Sequence, residues 1–140
     1  MRLVVDSSSF AKRYIQEDSG AKLDDWLQNT SELAFCIILV PEITSALNRR
    51  LREGAITAKD YQKVKKQLLD DVRDAIVLQL TPKVISCSVE LLEDNALRAM
   101  DALHLACALQ WKADLFITSD KKQFAAAINS GLHSEYLGRP

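Results

Sequence analysis

Apolar residues along this chain follow two spacings, and the switches between them outline its elements. Short continuous runs read as buried strands: residues 2–6, residues 33–38, Ala75 to Leu80, and residues 114–118. They are too short for ordinary helices, and they read as strands covered on both faces. Between them the apolar residues recur at helical intervals. Ser7-Ser8-Ser9 offers N-caps for a helix to about Gln16, and a second helix opens at Ser19-Gly20 with Leu23, Trp26 and Leu27 on one face. Pro41 suits the first turn of a helix that runs through about Arg52 and ends at Gly54. Thr57 caps a long helix with the stripe Tyr61, Val64, Leu68, Leu69 and Val72. Pro82 starts another helix, to about Glu93, and Ala96 to Lys112 is a strongly apolar one. The last helix, Lys121 to Asn129, is stopped by Gly131, and His133 to Leu137 is a candidate edge strand.

Strands separated by helices predict an α/β fold: a central parallel sheet of four to five strands flanked by helices. The 140 residues fit a single domain, 1–140, and the 48% apolar fraction can supply one continuous core. Gly and Pro number four and three, so connections are short and no domain boundary shows. The longest apolar stretch is eight residues or fewer, well short of a membrane span. No signal-peptide pattern opens the chain, and the expected compartment is the cytoplasm.

Acidic residues stand where apolar segments break off. Asp6 ends the first strand, Glu42 follows Pro41, Asp101 interrupts the apolar stretch Leu97 to Leu109, and Asp120 ends the run from Asp114. An ionised carboxylate beside a core is costly unless it is paired or binds a cation. In a parallel sheet, ligands gather at the carboxyl ends of strands, where Asp6 and Asp120 stand and Glu42 lies one short loop away. Four such acids suggest a site for a hard cation with oxygen ligands. Each also has a local alternative. Asp6 and Asp120 suit N-caps, Glu42 complements a helix dipole, and Asp101 has Arg98 three residues before it.

The remaining polar signals narrow the reading. Lys and Arg total 18 against 19 Asp and Glu, a net charge of −1, so overall charge provides no general grip on nucleic acid. A local basic rim is still available from Lys12, Arg13, Arg49, Arg98 and Lys121, each near an acid in sequence. Cys36, Cys87 and Cys107 are widely spaced among apolar neighbours and read as buried thiols rather than zinc ligands. His104 reads as structural, and Trp26 and Trp111 as core or interface.

The segments VVDSSSFAKRY, VPEITSALNRR, LRAMDALHLACAL and DLFITSDKKQF resemble, in order and spacing, the four motifs of PIN-domain ribonucleases, particularly the VapC-type toxins of prokaryotic toxin–antitoxin pairs. The resemblance runs from residue 2 to about residue 131 and implies that Asp6, Glu42, Asp101 and Asp120 bind Mg²⁺ or Mn²⁺ for RNA hydrolysis. Asp6 and Asp120 are expected as direct ligands, and Glu42 and Asp101 as holders of a second ion or of the attacking water. Ser8 and Thr118 are expected to aim the carboxylates. The resemblance also implies a small antitoxin partner and a homodimer. The helices of residues 7–29 and 39–72 carry apolar residues beyond the needs of one core, among them Phe10, Tyr14 and Trp26, which are expected either to form the antitoxin groove or to serve the ordinary packing of an α/β layer. A processing nuclease without an antitoxin and a non-catalytic PIN scaffold are the competing readings. A phospho-acceptor receiver domain ranks below them, because Ser7-Ser8 stands where its acid pair belongs.

Overall fold

The computed structural model describes residues 1–14 and 18–138. Strands β1 (Arg2–Val5), β2 (Glu32–Cys36), β3 (Ile76–Leu78), β4 (Leu115–Thr118) and β5 (Ser134–Tyr136) form one sheet in the order β3-β2-β1-β4-β5, with every pairing parallel. The helices are α1 (Ser7–Ala11), α2 (Asp18–Gln28), α3 (Leu39–Arg52), α4 (Ala58–Arg73), α5 (Pro82–Asp94), α6 (Ala99–Trp111) and α7 (Lys121–Asn129).

Alternation along the strands builds a core on each face. Leu3 and Val5 point to one side with Phe35, Leu115 and Ile117, and meet Phe10, Leu23, Leu39, Ile43 and Leu68 from the first four helices. Val4 points to the other with Ala34, Cys36 and Phe116, and meets Val84, Leu91, Leu105, Ala126 and Ala127 from the last three. Helix α6 is buried at Ala102 and at His104 through Ala108, which explains why its sequence is apolar on nearly every face.

Local chemistry sets the boundaries. Thr57 and Asp60 form a reciprocal capping box at the start of α4, and Thr81 caps α5 ahead of Pro82. Gly54 and Gly131 follow α3 and α7 with φ of 74° and 78°, the left-handed conformation that closes a helix and suits glycine. The expected tail strand forms as Ser134–Tyr136 beside β4. No helix among the described residues is long and apolar enough to cross a membrane.

Several expectations shift. Strand β2 ends at Cys36 and β3 is cut to Ile76–Leu78. Helix α1 stops at Ala11, followed by a turn; its expected end near Gln16 lies outside the described residues. Helix α3 begins at Leu39, before Pro41, which is tolerated because first-turn amides have no intrahelical partner. Helix α6 begins at Ala99, so Asp101 lies in its first turn rather than in its interior. Leu69 is 46% exposed, whereas Leu68 is 1% exposed and enters the core. Phe10 is core rather than surplus: it is fully buried, with its ring edge-on to Phe35 at a centroid distance of 4.6 Å, and Tyr14 and Trp26 pack beside it. Cys36 and Cys107 are buried as expected, but Cys87 is only partly so.

The contrast on α4 gives a stability prediction. Leu68→Ala should cost about 2–5 kcal/mol, the range for a buried leucine, while Leu69→Ala should stay within about 0.5 kcal/mol. Urea unfolding of the two variants checks this, and equal losses would contradict the placement of the helix face.

Candidate active site

The chain leaves β1 toward β2 and β3 on one side of the sheet, then returns to place β4 and β5 on the other. At such a reversal the connections diverge to opposite faces and leave a crevice beyond the carboxyl ends of the two central strands. Asp6 directly follows β1. Asp120 follows β4 after Ser119. The backbone N–H of Asp6 donates to the Ile117 carbonyl, which ties the two strand ends together. Glu42 reaches the crevice from the first turn of α3 and Asp101 from the first turn of α6. All four acids line one cleft of ≈ 350 Å³, with Ser7, Ser8, Arg49, Arg98 and His104.

Local bonds orient each carboxylate. Asp6 does cap α1, as its local alternative held: its Oδ1 accepts from the Ser9 N–H at 3.0 Å. Its Oδ2 accepts from Ser8 Oγ at 2.7 Å and more weakly from Thr118 Oγ1 at 3.4 Å. Asp120 likewise caps α7 through the Gln123 N–H at 2.8 Å, and its own N–H donates to Thr118 Oγ1 at 3.0 Å. Arg98, the N-cap residue of α6, pairs with Asp101 at 3.3 Å. Ser8 and Thr118 thus touch the first acid from two directions, and capping and cleft-facing roles coexist on the same side chains.

The charges are held uneasily. Burial pushes the pKa of Asp6 above its ordinary value despite hydrogen bonds from Ser8 and Ser9 and the nearby His104. Burial also raises Asp101, helped by the charge of Asp120 and opposed by Arg98. At Glu42 burial works in the same direction, but hydrogen bonds from His104 and Ser7 outweigh it and lower the pKa. For His104, burial works against protonation, and the bond to Glu42 outweighs it, raising the pKa.

The PIN-domain family model matches residues 3–129. The chain belongs to the PIN-domain family. Its fold is shared with FitAcB from Neisseria gonorrhoeae, at 14% identity and a TM-score of 0.75, over 96% of this chain and 97% of that one. A toxin–antitoxin complex from Klebsiella pneumoniae matches at 18% identity and a TM-score of 0.68, over 88% and 90% of the respective chains. VapC20 from Mycobacterium tuberculosis, a sarcin–ricin loop cleaving toxin, matches at 17% identity and a TM-score of 0.67, over 89% and 94%. A comparison with curated proteins finds no match.

In this PIN domain the donor set is all carboxylate and partly deprived of water, which suits a hard cation rather than zinc. The acids do not form a closed cage: among the described residues no three His, Cys, Asp or Glu side chains stand as a group able to hold an ion between them.

The basic residues divide. Arg49 and Arg98 line the cleft, and Lys121 and Lys122 line a depression that shares Arg98, Asp101 and Asp120 with it. Lys12 and Arg13 do not line the cleft. Lys12 reaches the Leu137 carbonyl at 3.5 Å, and Arg13 is held by Asp24 at 3.0 Å and Asp71 at 3.1 Å. Sequence reasoning missed Gln123 and the role of Ser7. Gln123 is fully buried; it accepts from Thr118 Oγ1 at 2.5 Å and donates to the Asp101 carbonyl at 3.0 Å, linking β4 to α6. Ser7 was read only as a possible cap, yet it donates to Glu42, and His104 lies beside both. A glutamine facing the apolar side of α7 was the one available signal.

Two outcomes follow from this arrangement. Asp6→Asn should raise the melting temperature of the metal-free protein near neutral pH. The raised pKa means that the folded state holds this proton more tightly than the unfolded state, so stability falls as pH rises through that value. The advantage of the variant should shrink as pH drops toward the ordinary aspartate value of 3.8. A lower melting temperature at neutral pH would refute it. Gln123→Leu should lose about 1–3 kcal/mol, because it strips partners from Thr118 and the Asp101 carbonyl in a buried place; denaturant unfolding measures this, and no loss would show the link to be unimportant.

Proposed function

We propose that this PIN domain is a divalent-metal-dependent endoribonuclease, the toxin of a toxin–antitoxin pair acting in the cytoplasm and inhibited by a small antitoxin. The observation that carries the reading is the convergence of Asp6, Glu42, Asp101 and Asp120, from separate elements, on one cleft rimmed by Arg49 and Arg98. A phosphodiester is anionic, and its hydrolysis builds more charge on the phosphoryl oxygens. Bound Mg²⁺ or Mn²⁺ supplies neutralisation of that charge and acidification of water. Asp6 and Asp120 would hold the ion, and Glu42 and Asp101 a second ion or the attacking water. Ser8 and Thr118 keep Asp6 aimed, while Arg49, Arg98 and Lys121 bind flanking phosphates. Arg13 is engaged by Asp24 and Asp71 instead.

VapC20 is a sarcin–ricin loop cleaving toxin and the Klebsiella pneumoniae relative is a toxin–antitoxin complex, which supports both halves of the reading. For the antitoxin, the fold offers a cleft of ≈ 580 Å³ where the turn after α1 meets α3 and α4, lined by Tyr14, Ile56 and Val64 with Arg13, Arg50 and Lys63. For a homodimer, Ile85, Val89 and Leu92 form an exposed apolar stripe on α5.

Purified protein should cleave RNA with Mn²⁺ or Mg²⁺. Asp6→Asn and Asp120→Asn should lower the rate by about two to four orders of magnitude with the fold retained. Millimolar Mn²⁺ should raise the melting temperature of the parent. Expression of the chain alone should arrest bacterial growth, and co-expression of a neighbouring small gene should restore it. Parental activity in Asp6→Asn would reject the site. Arrest that persists with Asp120→Asn would reject RNA cleavage as the cause of toxicity. Cleavage without arrest would favour a processing nuclease.

A further inference from the structure

Two side chains from different elements meet on a single oxygen of Glu42. Ser7 Oγ, at the start of α1, donates to Oε1 at 2.7 Å. His104 Nε2, from the second turn of α6, stands 2.5 Å from the same oxygen and 2.9 Å from Ser7 Oγ. The His104 side chain is 2% exposed, and that of Glu42 is 31% exposed. Among the described residues, His104 Nδ1 is buried without a hydrogen-bond partner.

These contacts fix the tautomer. A buried N–H with no acceptor costs about 1–3 kcal/mol, so the neutral ring carries its proton on Nε2, where Glu42 and Ser7 can both accept it. Oε1 then receives a donor from Ser7 and another from His104, which occupies both of its lone pairs. The carboxylate is left to act through Oε2. Ala108, one turn along α6 and on the same face, is buried and apolar, and the ring's hydrogen-bond partners are Ser7 and Glu42.

We propose that His104, with Ser7, is a positioning residue that locks Oε1 of Glu42 and presents Oε2 alone to the cation or water in the cleft. This rests on the nuclease reading of Glu42. The role is distinct from catalysis by His104 itself, whose bonded nitrogen is turned to Glu42 and Ser7.

Three substitutions separate positioning from packing. Gln carries its amide nitrogen about where the imidazole Nε2 lies, Asn is too short to reach it, and Leu fills the space without a donor. His104→Leu should fold and melt within a few degrees of the parent, yet weaken Mn²⁺ binding, followed by electron paramagnetic resonance, about 10–100-fold. Its kcat should fall by a similar factor with little change in KM for RNA. His104→Gln should restore most of both losses, and His104→Asn should not. Parent-like Mn²⁺ binding and cleavage by His104→Leu would overturn the proposal, as would indistinguishable Gln and Asn variants. If His104→Leu does not fold, the Gln and Asn pair decides alone. A metal-free measurement keeps the test separate from the nuclease reading: nitrogen-15 spectra should place the His104 ring proton on Nε2, and a neutral ring protonated on Nδ1 would overturn the proposal by itself. A parent that binds no Mn²⁺ but shows the Nε2 proton would instead sink the nuclease reading.

Discussion

A carboxylate kept out of water at the end of the central strand is the constraint on which the rest of the site depends. Asp6 is 3% exposed and burial raises its pKa. An isolated charge there would be costly, so the surroundings supply donors: the Ser9 amide, the Ser8 hydroxyl and, farther off, Thr118. These hydrogen bonds lower the cost without removing it. What remains is a local excess of negative charge. Asp101 stands near the charge of Asp120, and Arg98 pairs with Asp101 as a counter-charge.

The sheet makes that tension possible at one place. Because β1 is flanked by β2 on one side and β4 on the other, the chain reverses its winding at β1 and β4. Helices then diverge above and below, and the strand ends stay uncovered at the crevice. Glu42 and Asp101 enter from the N-terminal turns of α3 and α6, where unpaired amides favour negative charge. Helix N-termini thus stabilise acids that also face the cleft, so capping and cleft-facing roles coexist at Asp6 and Asp120.

A largely buried polar framework holds the acids in register. Thr118 sits among Asp6, Asp120 and Gln123, and Gln123 carries the link onward to the backbone of Asp101. Ser7 and His104 do the same for Glu42. Among the described residues, each buried polar side chain in this framework is satisfied by another group, apart from Nδ1 of His104.

The linear pattern of residues was enough for the parallel α/β architecture, the helix stops at Gly54 and Gly131, the cap at Thr57, and the acids at strand ends. Each of these follows from local periodicity or from backbone chemistry within a few residues. The motif around Asp6, Glu42, Asp101 and Asp120 was legible for the same reason, since each acid interrupts its own apolar segment. Tertiary structure decided what depends on partners far along the chain. Glu42 and His104 are 62 residues apart, and Ser7 and His104 are 97 apart. No local signal couples them, and His104 therefore read as an ordinary buried histidine. Leu68 and Leu69 are adjacent and chemically identical, and only the seat of α4 on the sheet buries one and exposes the other. Arg13 stands near Asp6 in sequence, but the turn after α1 carries it to Asp24 and Asp71 instead. Periodicity specifies which residues turn inward; which inward residues meet is settled by packing between elements.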